Sequence, residues 1–306
     1  MRGIIPGPRI RPCGHHLGTT GDLNDSRRWW RHEHLPGTDL FADGPDALRR
    51  LVREQVRHGV EIVKVFASSG RGYHGRTLRN FDRDELAAVV AAAHGRGIKV
   101  RAHVCTREMI RECIALGVDI LDHGDEMDEA LLEEMAEREL AWVPSLTYLW
   151  AHLELGWDDE EHSMEATFRR ILELLPRAHQ LGVRILVGDD YSGVFRGLLA
   201  DDPLDHQVGA YGREIAFYAH HTGLGVADVL CWATRNPGTL LVDPPERVGV
   251  LEAGALADLI VVAGDPEGEP ELFAHPERHL AAVLKGGEWL VDRLRPARQP
   301  PGVRWP

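Results

Sequence analysis

Apolar residues in this chain fall into short runs closed by glycine, proline or histidine, and these runs alternate with stretches where they recur every three or four positions. The runs Val60–Phe66, Ile98–His103, Val118–His123, Leu140–Pro144 and Val183–Val187 read as buried strands, and Pro8–Cys13 as a further one. The helical spacings fall over Asp46–His58, Asp82–Gly95, Thr106–Leu116, Asp128–Arg138, Thr167–Leu181 and Ala227–Thr234. In Thr106–Leu116 the apolar set is Met109, Ile110, Cys113, Ile114 and Leu116, and Gly117 stops the helix. A strand, a helix and a strand in so short a span form a βαβ unit. Its strands are parallel, so His103 and His123 should emerge on one rim of the sheet. Repeated along the chain, the alternation predicts an α/β fold, a (β/α) barrel or a doubly wound sheet.

After Ala227–Thr234 the pattern changes. Arg247–Gly254, Ala257–Ala263, Ala281–Lys285 and Glu288–Val291 read as short strands on Gly-rich turns, with Gly286-Gly287 as a hairpin signal. The expected division is a barrel over residues 1–241, a small β segment over 242–293 and a loose tail over 294–306. Residues 1–44 are otherwise irregular. His32 and His34 form an HxH triplet, but WWRHEHLPGT has no strand pattern to point both rings one way, so they read as exposed loop residues.

Composition narrows the class. With 306 residues, 43% hydrophobic and 27% charged, the chain can bury a sizeable core. A formal charge of −13 argues against nucleic acid as a partner. No apolar run reaches membrane-spanning length, and the N-terminus has no signal-peptide pattern, so no membrane partner is expected. Four cysteines without a CxxC pair suggest a reducing compartment, and the expected location is cytoplasmic.

The chemistry concentrates in the strands. Lys64 lies between Val63 and Val65, where a charge is costly unless something pairs with or binds it. Lys64, His103, His123 and the Gly188-Asp189-Asp190 turn are placed at the ends of near-successive parallel strands. Two imidazoles and a carboxylate on one rim suit zinc or another divalent ion, one or two in number. Such an ion activates water, and a neighbouring carboxylate can carry the proton. The loop Ala67–Asn80 follows the Lys64 strand and carries Tyr73, His74 and Arg76, the expected contacts for a small-molecule substrate. It lacks the GK[ST] of a phosphate-binding loop.

The order of VKV, AHV, DHG and a Gly-x-Asp resembles the amidohydrolase superfamily, and within it the imidazolonepropionase-like and prolidase-like metal-dependent hydrolases. ATRNPGTLL, VGVLEAGALADLIVVAGDP and VLKGGEWLVD are similar to that family's closing helix and β-sandwich. The resemblance implies a (β/α)8 TIM-type barrel, N-terminally incomplete with about six strands, and a β-sandwich remnant. It implies that Lys64 is carboxylated and bridges metals, that His103 and His123 bind one of them, and that Asp190 binds a metal and shuttles protons, with Asp189 an alternative one residue away. The family's HxH strand is missing, as His32 and His34 follow the wrong segment; Met1 then corresponds to an internal position. The implied function is metal-dependent hydrolysis of C–N bonds in amides, cyclic amides, ureas or dipeptides. The alternatives are a pseudoenzyme with a scaffold role and a hydrolase of another bond, such as a phosphoester. An incomplete parallel sheet exposes edges, so a homo-oligomer is expected.

Overall fold

Among the described residues every strand of the larger unit is parallel to its neighbours, and from Asp39–Phe41 onward helices join each strand to the next. The structure is a computed structural model and describes residues 7–22, 25, 39–69, 77–154, 156, 163–188, 190 and 212–294. The chain forms two compact units, Met1–Leu204 and Asp205–Pro306.

In the first unit β1 (His16–Gly18) and β2 (Asp39–Phe41) precede α1 (Pro45–Arg57) and β3 (Ile62–Phe66). Then come α2 (Arg83–His94), β4 (Lys99–Val104), α3 (Arg107–Leu116), β5 (Ile120–His123), α4 (Glu129–Glu137) and β6 (Ala141–Val143). The unit continues through α5 (Leu146–Glu154), α6 (Met164–Leu181) and β7 (Arg184–Ile185). The sheet order is β2-β1-β3-β4-β5-β6-β7. From β3 onward each strand pairs with the next in sequence, as in the wall of a (β/α) barrel.

Its core is the set read from the apolar runs. Val63, Val65, Val100, Ala102, Val104, Leu121, Ala141 and Trp142 are almost fully buried, under Leu48, Val52, Leu86, Val89, Ile110, Ile114, Leu132 and Leu175 from the helices. Helix starts follow local chemistry. Asp82 caps α2 and accepts from Glu85 N at 2.8 Å, while the Glu85 carboxylate accepts from Asp82 N at 2.9 Å, a reciprocal capping box. The Thr106, Asp128 and Ser163 side chains cap α3, α4 and α6 by accepting from Met109 N, Leu131 N and Ala166 N.

Two expectations need correction here. Pro8–Cys13 is not a strand; Pro8 and Pro12 lack N–H groups, and of this segment Pro12 O meets Glu61 N at 2.9 Å. The strand forms later, at His16–Gly18, where Leu17 lies in register with Val65. The described sheet has seven strands rather than about six, because Asp39–Phe41 adds to the far side of β1.

The second unit contains α7 (Gly212–His221), α8 (Val226–Ala233), α9 (Arg235–Leu241), β8 (Leu259–Val262), α10 (Pro276–His279), β9 (Leu280–Lys285) and β10 (Glu288–Asp292). Its antiparallel sheet has the order β10-β9-β8, with Gly286 and Gly287 both at positive φ in the β9–β10 turn. Arg247–Gly254 is not a strand. Gly249 has φ 77° and lies against the backbone of Thr234, where an added Cβ would come within 2.1 Å of the carbonyl oxygen. That close approach bends the segment out of extended geometry. No helix among the described residues is long and apolar enough to cross a membrane.

Candidate active site

Strand register decides which side chains share a layer. Phe66 is level with His103, His103 with Asp122, and Val104 with His123, so these residues end three adjacent strands together. Lys64 is level with Arg101 and lies one layer beneath that rim, since β3 runs on to Phe66. Period-two alternation turns Lys64, Phe66, Arg101 and His103 to one face of the sheet.

Asp122, level with His103 in register, reaches down to the two cations of the lower layer and joins them. Its carboxylate accepts from Arg101 Nε at 2.7 and 2.9 Å and pairs with Lys64 Nζ. It is 1% exposed, and Lys64 is 9% exposed. Desolvation alone would raise its pKa; Arg101 and then Lys64 outweigh it and hold the carboxyl well below the usual range. The charge of Lys64 therefore has a partner, which is the condition a lysine in a buried strand imposes.

The upper layer carries the imidazoles. The His103 and His123 rings meet edge to face with centroids 4.5 Å apart, and Phe66 lies 4.9 Å from His103. Desolvation, with His123 and Lys64 nearby, keeps His103 well below its ordinary pKa, so its ring is neutral and retains a nitrogen lone pair. His103 Nε2 lies 3.5 Å from Cys105 Sγ. His123 stands at φ 63°, in the left-handed region, and its carbonyl accepts from Trp142 Nε1 at 2.9 Å. That turn swings the ring onto the rim instead of leaving it on the far face of β5. Asp190, just beyond β7, also has a positive φ of 49° and brings its Oδ2 to 3.8 Å from His123 Nε2.

The structure thus brings His103, His123 and Asp190 together and sets Lys64 beside them. Tyr73, His74 and Arg76 lie outside the described residues, as do His32, His34 and Asp189. The roots of the Tyr73 loop are described. Ser69 N donates to Leu78 O at 2.8 Å and Asn80 N to Ala67 O at 3.1 Å, fixing both ends at the rim of β3. Among the described residues no three or more His, Cys, Asp or Glu side chains form a ready-made metal group.

Three residues escaped sequence reasoning. Arg101 and Asp122 each carry a charge inside an apolar run, the very signal that singled out Lys64. Tyr148 follows β6; its ring centroid is 6.3 Å from that of His123. Burial, then Asp190, Cys105 and Asp125, raise the Tyr148 pKa, so it stays a phenol.

The cysteines differ sharply. A hydrogen bond with His16 holds the part-exposed Cys13 thiol below its ordinary pKa despite some desolvation, whereas burial pushes Cys113 up. Brief treatment with iodoacetamide at neutral pH should therefore label Cys13 ahead of Cys105 and Cys113. Peptide mass mapping checks this, and equal labelling of Cys113 would contradict it.

Comparison with known proteins agrees with this geometry. At 25% identity over 283 residues the chain matches the ochratoxinase of Aspergillus niger, covering 90% of this chain and 55% of that protein. It thus spans about half the length of that curated relative. A prolidase solved with n-methylphosphonate-l-proline superposes with a TM-score of 0.78 at 26% identity, over 95% of this chain and 71% of the other. A Mycobacterium bovis protein without an assigned activity is 27% identical over 90% of this chain and 74% of its own. The model of the Amidohydrolase family matches residues 3–290, nearly the whole sequence, from before β1 into β10. With the imidazole pair and the aspartate converging at the ends of parallel strands, the chain belongs to the amidohydrolase family.

Proposed function

We propose that this chain is a metal-dependent hydrolase of amide or peptide C–N bonds, with its centre at His103, His123 and Asp190. The carrying observation is the convergence of those three side chains from β4, β5 and the end of β7, with rings 4.5 Å apart and the carboxylate 3.8 Å from His123 Nε2. Relatives named as a prolidase and an Xaa-Pro dipeptidase favour peptide bonds as the target.

The donor set suits a divalent ion such as zinc. His103 offers a neutral imidazole, and the Asp190 side chain, 45% exposed, has room to turn toward the histidines. Lys64 enters this set only as a carboxylated side chain, which would have to give up its pairing with Asp122. An ion held by these residues would supply Lewis acidity and make water a competent nucleophile near neutral pH. The protein's own groups handle the rest. Asp190 takes the proton of the attacking water and delivers it to the leaving nitrogen. The neutral His103 ring and the rim above the Arg101–Asp122–Lys64 cluster hold the reacting group away from that fixed charge.

The test is direct. The chain supplied with zinc should hydrolyse members of a panel of dipeptides and N-acyl amino acids, and Asp190→Asn, assayed at a zinc concentration that saturates the variant, should lower kcat by about 10²- to 10⁴-fold. An Asp190→Asn variant as active as the parent would remove the proposed role. A parent that cleaves no amide in the panel would remove the proposed reaction.

A further inference from the structure

Four non-glycine residues among those described have positive φ, and three of them stand at or beyond the ends of consecutive strands: His123 as the last residue of β5, Ser145 after β6 and Asp190 after β7. Such backbone is strained and persists where the surroundings over-determine it, which is typical of functional sites. His123 and Asp190 already belong to the centre. Ser145, at φ 49° and almost fully buried, has no role there of its own.

Its effect is on the chain that follows. Ser145 turns β6 into α5, and its carbonyl accepts from Tyr148 N at 3.2 Å. Tyr148 is thereby held in the first turn of α5, half-buried, with its ring 6.3 Å from that of His123. Its electrostatic neighbours are Asp190, Cys105 and Asp125, all at the same strand ends. A substrate carbonyl held at His123 and Asp190 therefore meets a phenol on the β6 side of the site.

We propose that Tyr148 is a catalytic residue of this centre, donating a hydrogen bond from its hydroxyl to the carbonyl oxygen of the scissile amide as negative charge develops there. The inference rests on the hydrolase reading above and adds a residue to it. Attack of water on the carbonyl carbon opens the C=O double bond and moves its electron pair onto oxygen. A donor aimed at that oxygen stabilises the transition state more than the ground state. A phenol serves because it remains protonated below about pH 10. No proton leaves Tyr148 during the cycle; the water's proton goes to Asp190.

The experiment compares the full chain, zinc-loaded, with Tyr148→Phe, which removes a single oxygen. The variant should keep its metal content and melting temperature, and its kcat for a cleaved dipeptide should fall by about a hundredfold with little change in KM. Binding of a tetrahedral phosphonate analogue of that dipeptide should weaken by a similar factor, while binding of the dipeptide itself hardly changes. Unchanged kcat, or a loss confined to KM, would overturn the proposal while leaving the hydrolase reading intact. Absence of amide cleavage by the parent chain would instead sink the hydrolase reading, and this proposal with it.

Discussion

Asp122→Asn should be the most destabilising single replacement in the lower layer of the site, lowering the unfolding free energy by about 3–5 kcal/mol. Asp122 neutralises two cations at once, Arg101 and Lys64, and is itself 1% exposed. Asparagine leaves both without a counter-charge in a desolvated layer. Lys64→Met should cost less, because Arg101 still pairs with Asp122 and a methionine stem packs against Phe66 on the same face. Arg101 keeps access to solvent, its side chain being 37% exposed, which places the expected loss toward the lower end of that range. Urea denaturation followed by tryptophan fluorescence reads the order, and a Lys64→Met variant less stable than Asp122→Asn would contradict it. The pH dependence has a definite sign. The Asp122 carboxyl is depressed in the folded chain, so its contribution is complete above the ordinary carboxylate pKa of about 4 and is lost as pH falls through the lower folded value. The difference between parent and Asp122→Asn should be constant from about pH 5 to 8 and shrink only in stronger acid.

Loss of either imidazole should empty the centre of metal. The parent chain should retain about one zinc, because three protein donors and a water make an adequate catalytic set. His103→Ala and His123→Ala should each weaken zinc binding by more than the roughly 10- to 100-fold typical of an outer-shell change. Inductively coupled plasma mass spectrometry after gel filtration gives the stoichiometry, and calorimetric titration the affinity. Full zinc retention by both variants would place the metal elsewhere. His123→Ala should also relax the left-handed turn at the end of β5, so melting curves recorded beside the metal analysis separate lost ligand from lost fold.

Part of this architecture was readable along the chain because its causes are local. β3 to β6 are apolar runs that only a doubly covered parallel sheet can hide, and α2, α3 and α4 begin at Asp82, Thr106 and Asp128, whose side chains cap their own first turns; α6 is capped by Ser163, ahead of the expected start at Thr167. His103 and His123 could be placed on one rim from the βαβ spacing alone, since a parallel crossover leaves no other choice. Elements whose cause is remote were misread. His16–Gly18 is a strand because Leu17 pairs with Val65, far along the chain, while Pro8–Cys13 has strand-like residues without the donors. Arg247–Gly254 has the alternation of a strand, yet the approach of Gly249 to Thr234 bends it.

The same division runs through the site. That Lys64 needed a counter-charge followed from the sequence, because a charge between two buried valines is costly in any fold. That the counter-charge is Asp122, shared with Arg101, followed only from register, which sets Lys64 level with Arg101 and places Asp122 two residues further along β5, on the same face. Nor could residue order show that the backbone turns left-handed at His123, Ser145 and Asp190, drawing a second imidazole, a phenol and a carboxylate to one end of the sheet. Composition and periodicity act within one turn or one strand, and they determined which segments fold and which charges cannot be buried alone. Which charge answers which, and what meets at the rim, depends on contacts between residues distant in sequence, and those exist only once the strands have paired.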